Sequence, residues 1–84
     1  MKARVYVTLK NGVLDPQGKA VAHGLHSLGF AEVEDVRIGK YMEVAIATGS
    51  RAEAESRVRE MCQKLLANQV IEDFRFDLEG DGAS

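Results

Sequence analysis

The hydrophobic period of this chain switches between two values, and that switching limits its fold more than any other feature. From Ala3 to Leu9, the apolar residues Ala3, Val5, Val7 and Leu9 alternate with Arg4, Tyr6 and Thr8, the period of a half-buried strand. From Gly18 the spacing turns helical, through Val21, Ala22, Leu25 and Leu28. Asp15-Pro16 is a helix start, because aspartate accepts from free backbone N–H groups and proline suits the first turn, and Gly29 is placed to cap the end. The period returns to two at Val36 and Ile38, and again at Met42, Val44 and Ile46, with Gly39-Lys40 between them as the expected hairpin turn. Val33 is out of phase with Val36, which predicts an irregular entry or a bulge. Ser50 and Glu53 form a capping box for a second helix. Its apolar face is Ala54, Val58, Met61 and Leu65, widened by Cys62 and Leu66, and Glu53/Arg57, Glu55/Arg59 and Glu60/Lys64 line the surface in the favourable acid-before-base order. The helix should stop near Asn68, before a last strand marked by Phe74, Phe76 and Leu78.

Strand, helix, strand, strand, helix, strand is the βαββαβ order of the α+β class, the ferredoxin-like split βαβ arrangement. The expected molecule is an antiparallel sheet with two helices on one face, a single domain over residues 1–79, and a short polar, glycine-rich tail at 80–84. Val5, Val7, Leu9, Val36, Ile38, Met42, Val44, Ile46, Phe74 and Phe76 would form the inner face. The other face would carry Tyr6, Thr8, Arg37, Tyr41, Glu43 and Ala45, with few charges to keep it solvated. Tyr6, Thr8, Tyr41 and Glu43 are therefore candidates for self-association through the sheet or its edge.

Size points the same way. A chain of 84 residues buries only about 63% of the surface its unfolded form exposes, so its core is marginal. A single cysteine excludes an internal disulfide, which leaves oligomerisation as the main source of added stability. A net charge of −2 argues against non-specific nucleic-acid or anionic-membrane binding, since both need excess lysine and arginine. No tract reaches transmembrane length, and the reading is a cytoplasmic protein with one reduced thiol.

The inventory of reactive groups is thin. His23 and His26 lie three apart on the first helix, but no Cys, Asp or Glu at matching spacing completes a metal set, so both are read as surface histidines. Cys62 lies on the apolar side of the second helix as a small buried hydrophobe. The glycines of the first third do not form a dinucleotide or phosphate-loop motif. Gly18-Lys19 at a helix start could meet a phosphate, though close packing of Gly18 is the stronger reading. Glu32, Glu34 and Asp35 read as a solvated acidic loop, and Lys10, Arg37 and Lys40 as a charged rim at one end of the sheet. No catalytic residue and no metal site is expected.

Three stretches together carry a family resemblance. They are Val5-Tyr6-Val7-Thr8-Leu9-Lys10 leading through Gly12-Val13-Leu14-Asp15-Pro16-Gln17-Gly18-Lys19-Ala20, then Val33 to Tyr41, then Met61 to Asn68 with Val70-Ile71-Glu72-Asp73-Phe74. In this order and spacing they resemble the PurS family, the small subunits of phosphoribosylformylglycinamidine (FGAM) synthase, over about Lys2 to Leu78. The resemblance implies a place in purine biosynthesis, where formylglycinamide ribonucleotide, glutamine and ATP give the amidine, glutamate, ADP and phosphate. It also implies a division of labour. ATP and Mg belong to a large synthetase subunit (PurL), and ammonia release to a glutaminase subunit (PurQ). The small subunit binds no cofactor, has no catalytic residues, and serves assembly and ammonia transfer between the other two. The family also forms homodimers, paired into tetramers in some members.

Carried over by position, the resemblance makes Lys10, Asp15, Gly18, Arg37, Gly39, Lys40, Asn68 and Glu72 the candidate partner-interface residues. Gly12, Pro16, Leu66 and Ile71 match the same regions. Two other classes stay in view on the residues alone. An ACT-like regulatory module shares the element order and binds small effectors between copies. An RRM-type RNA binder needs paired aromatics and a basic surface, for which only Tyr6 and Tyr41 and an acidic total are present.

Overall fold

The computed structural model describes residues 1–47 and 49–80. The expected tail falls at 80–84, and beyond Gly80 it lies outside the described residues. In chain order the elements are β1 (Lys2–Leu9), α1 (Pro16–Ser27), β2 (Gly39–Ala45), α2 (Arg51–Met61) and β3 (Glu72–Glu79), with one π-helical turn, Cys62–Leu66, continuing α2. The strands form an antiparallel sheet in the order β2-β1-β3, so the most apolar alternating strand is the central one. Val5 faces Met42 on one side and Phe76 on the other, while Tyr6 faces Tyr41 and Arg75. That register places Ala3, Val5, Val7 and Leu9 on one face with Met42, Val44, Phe74, Phe76 and Leu78.

α2 covers this inner face. Ser50 Oγ accepts from Glu53 N at 3.2 Å, as the capping box predicts, and Glu60 pairs with Lys64 at 2.9 Å. Ala54, Val58 and Cys62 are buried, Val58 and Cys62 in one core cluster with Val5 and Val7, and the Arg59 guanidinium lies 5.3 Å from the Phe76 ring centroid. The π turn changes the expected helical face. Ala67 N donates to Cys62 O across five residues, and the wider turn advances the phase, so that Leu66 packs toward the core while Leu65, expected inside, is 83% exposed.

The two helices are unequal. α1 starts as predicted, with Asp15 as its cap and Pro16 in its first turn, and Gly29 comes just after it at φ +98°. Yet its only buried residue is Gly18, it makes marginal contact with the sheet, and Val21 and Leu28 are exposed.

The segment Val36–Ile38 corrects the expected strand count. It pairs with no strand among the described residues, and Gly39-Lys40 is not a turn but the first two residues of β2. A two-residue loop there would oppose Ile38 to Tyr41 and Val36 to Glu43, apolar against polar along the whole hairpin. Backbone groups of the segment find other partners: Ile38 N donates to Asp15 Oδ2 at 3.0 Å. Gly39 instead admits β1, since a Cβ there would stand 2.2 Å from Val7 O. No helix among the described residues is long and apolar enough to cross a membrane.

Candidate functional site

The eight residues expected to meet a partner come from four separate stretches of chain, and the sheet register gathers them at one end. β1 stops at Leu9 opposite Glu72, while Thr8 lies between Gly39 and Asp73, and Val7 between Lys40 and Phe74. Lys40 and Glu72 therefore flank the end of the central strand on its inner face, and their charged groups lie 3.5 Å apart. The second Glu72 oxygen accepts from Asn68 N at 2.7 Å, Asn68 O accepts from Glu72 N at 2.7 Å, and Asn68 Oδ1 accepts from Val70 N at 3.1 Å. Lys10 joins through its backbone, donating to Ile71 O at 2.8 Å. Lys10, Lys40, Asn68 and Glu72 thus share one network, in which the loop into β3 is shaped by side chains of its own residues.

Asp15, Gly18, Arg37 and Gly39 form the adjoining group. Asp15 Oδ1 accepts from Gly18 N at 2.9 Å while Oδ2 takes Ile38 N, so one carboxylate joins the start of α1 to the segment before β2. The Gly18 bond and then the Ile38 bond hold the Asp15 carboxyl below the usual carboxylate range, with the Arg37 charge adding to the effect. Gly18 has no room for a side chain, because a Cβ would lie 2.2 Å from Val36 O, which supports its packing reading. An acidic group already occupies this helix start, so the phosphate reading of Gly18-Lys19 loses its free N–H donor. Arg37 Nη1 donates to Asn11 Oδ1 at 3.1 Å. Between the two groups lies a groove of about 340 Å³ lined by Val7, Leu9, Asp15, Ile38, Lys40 and Glu72 among others.

The expected self-association residues lie on the opposite, outer face. The Tyr6 and Tyr41 rings are 5.2 Å apart, with the Arg75 guanidinium 4.0 Å from the Tyr6 ring centroid. Tyr41 donates its hydroxyl proton to Glu43 at 2.8 Å, which raises the Tyr41 pKa, and the same bond, with Lys2 at 3.4 Å from Glu43, lowers that of Glu43. Thr8 stands between Gly39 and Asp73. This face is more charged than the sequence reading allowed, because Lys2, Arg4, Asp73, Arg75, Asp77 and Glu79 also lie on it, with Arg4 and Glu79 paired. The alternation of β3 held that signal, but its phase relative to β1 becomes visible only through the register.

His23 and His26 are exposed, and His26 Nε2 lies 2.7 Å from Val33 O. Cys62 is fully buried, and burial raises its thiol pKa. Among the described residues no group of three or more His, Cys, Asp or Glu side chains is placed to hold a metal ion. Asn11 has no role in the sequence reading and Ile38 only that of an inner-face residue; nothing local marks their contacts with Arg37 and Asp15, since both act on residues more than twenty positions away.

Residues 2–80 match the family described as PurS, phosphoribosylformylglycinamidine (FGAM) synthase. The chain is 59% identical over 78 residues to the phosphoribosylformylglycinamidine synthase subunit PurS of Bacillus subtilis, covering 93% of this chain and 92% of that protein. Its fold superposes on the solved B. subtilis PurS structure with a TM-score of 0.81 at 58% identity, over 94% of this chain and 98% of that one. It is also similar to a chain in the structure of PurLQS from Thermotoga maritima, with a TM-score of 0.82 at 25% identity, over 90% and 93% of the two chains.

Proposed function

The chain belongs to the PurS family, and from that membership we propose how it works as a subunit of phosphoribosylformylglycinamidine synthase in purine biosynthesis. Its partners are the large synthetase subunit, PurL, and the glutaminase subunit, PurQ, the set present in the Thermotoga assembly. Membership sets aside the regulatory-module and RNA-binding readings. The subunit works by assembly rather than by bond-making: ATP and Mg act on the large subunit, ammonia is released on the glutaminase, and this chain joins the two in the cytoplasm so that ammonia passes between them.

The observation that supports this role best is the gathering of Lys10, Asp15, Gly18, Arg37, Gly39, Lys40, Asn68 and Glu72 at one end of the sheet. Their positions are held by backbone bonds and by Lys40–Glu72, so the rim presents a set shape with charged groups at its margin. A partner surface of opposite charge pattern gains specificity and encounter rate from such a rim more than raw affinity. Rigid loop geometry lowers the ordering cost of docking.

Reconstitution tests the role. The chain alone should show neither glutaminase nor ATPase activity, and added to PurL and PurQ it should restore glutamine-dependent amidine synthesis. Full glutamine-dependent turnover by the two large subunits without it would remove the assembly role.

A further inference from the structure

The loop between α2 and β3 is short, exposed and tied at almost every backbone position. Asn68 N donates to Glu72 Oε1 at 2.7 Å and Val70 N to Asn68 Oδ1 at 3.1 Å, while Ile71 N and Glu72 N both donate to Asn68 O, at 3.1 and 2.7 Å. The Gln69 side chain turns back to Gln63 O at 3.3 Å, which fastens the loop to the π turn. Ile71 O accepts from Lys10 N at 2.8 Å, which fastens it to the end of β1. The Glu72 side chain is only 13% exposed, and its second oxygen lies 3.5 Å from Lys40 Nζ. The polar side-chain atoms of Asn68 and Glu72 are therefore engaged within the loop and its margin.

What the loop presents outward is apolar. Val70 is 82% exposed and Ile71 39%, while Leu65, on the π turn that Gln69 holds, is 83% exposed. Leu65 and Val70 are the two most exposed large apolar side chains among the described residues. Lone exposed apolar side chains are common on protein surfaces. This pair differs in being carried on backbone that bonds within the free subunit already fix, so the ordering cost of docking is met before a partner arrives.

We infer that Val70 anchors a docking knob, flanked by Leu65 and Ile71, that seats in an apolar socket bordered by carboxylates on a larger subunit of the synthase. Asn68 and Glu72 are positioning residues that shape the knob without touching the partner. The inference rests on the subunit role proposed above and names the side chain that carries the contact. Charge argues for the acidic border. The cations around the loop are Lys10, Lys40 and Lys64; Glu72 offsets Lys40 and Glu60 offsets Lys64, but Lys10 has no ion pair among the described residues. Asp73, the next acid along the chain, lies on the outer face of the sheet. The knob is thus cationic at its margin on a chain whose net charge is −2. A second copy would bring the same cations to the contact, whereas an apolar socket rimmed by Asp or Glu complements both parts of the knob.

The test is reconstitution with PurL and PurQ, titrating the small subunit and reading glutamine-dependent amidine synthesis. Val70→Asp leaves the loop bonds in place and sets a charge on the knob. It should raise the half-saturating subunit concentration by about tenfold or more, with the plateau turnover and the melting temperature of the free chain unchanged. Glu72→Ala should raise it too, because the loop loses the acceptor for Asn68 N, whereas Glu72→Gln keeps an acceptor and should stay near the unaltered value. Equal losses in both would show that the Glu72 charge meets the partner directly and would overturn its positioning role. Added salt should raise the half-saturating concentration of the unaltered chain, and a value that does not move with salt overturns the acidic border. A Val70→Asp titration superimposable on that of the unaltered chain overturns the knob and leaves the subunit role standing, since turnover with the unaltered chain reports that role by itself. A light-scattering mass lower for free Val70→Asp than for the unaltered chain would seat the knob on a second copy, which overturns the inference equally. If Val70→Asp does not fold, Val70→Ser reads the same titration with an expected rise of about threefold.

Discussion

Asp15 acts on two parts of the fold with one carboxylate, capping α1 through Gly18 N and holding the segment before β2 through Ile38 N. Asn in its place keeps one good acceptor, and Ala keeps none, so thermal stability at neutral pH should fall in the order Asp15, Asp15→Asn, Asp15→Ala. Because these bonds lower the folded-state pKa, the contribution is fully present above the ordinary aspartate range and is lost as pH falls through the lowered folded value. The melting temperatures of the protein and Asp15→Asn should therefore converge on acidification; a gap that stays constant would show that the carboxylate charge is not involved. Gly39 offers a second test. Gly39→Ala drives a methyl into Val7 O of the central strand, and should lower unfolding stability by about 1–3 kcal/mol in a urea titration. The capping role of Asp15 could be read locally from Asp-Pro ahead of a helical spacing. Its bond to Ile38 could not, since that partner lies 23 residues away and is chosen by the path of the chain.

Among the elements, α2 and its π turn show where periodicity stops being a guide. A strict 3.6-residue repeat places Leu65 inside and is right for Ala54 and Val58, but one widened turn at Cys62–Leu66 rotates the last residues of the helix away from that repeat. Leu65→Ala should consequently change stability by no more than about 0.5 kcal/mol, and Leu66→Ala should cost about 2 kcal/mol. Equal costs in a denaturant titration would place both residues on the same face. Cys62 obeys the same geometry: fully buried and with its thiol pKa raised, it should react with an aromatic disulfide reagent only as fast as the protein opens. Rapid labelling under native conditions would contradict its place in the core. The lost hairpin has a related cause, for Val36–Ile38 has strand periodicity but no turn of the right length to bring it onto β2 in phase.

At the scale of the whole molecule, the protomer is a sheet with one well-seated helix, a second helix held mainly at its start, and a rim of candidate interface residues at one end. Reversing Lys10 to Glu should leave the fold intact, because its observed bond is through the backbone, yet shift the reconstitution titration with PurL and PurQ toward higher subunit concentration. An unchanged titration would take Lys10 out of the interface. Much of this molecule is readable in one dimension. Alternation and helical spacing mark the strands and both helices, Asp15 and Ser50 mark the helix starts, and three spaced stretches mark the family, because each signal lies within a few neighbouring residues. Other features depend on distant residues meeting. The strand order β2-β1-β3, the charged outer face, the shared network of Lys40, Asn68 and Glu72, and the separation of α1 from the sheet arise from backbone pairing and chain path, which no local period encodes.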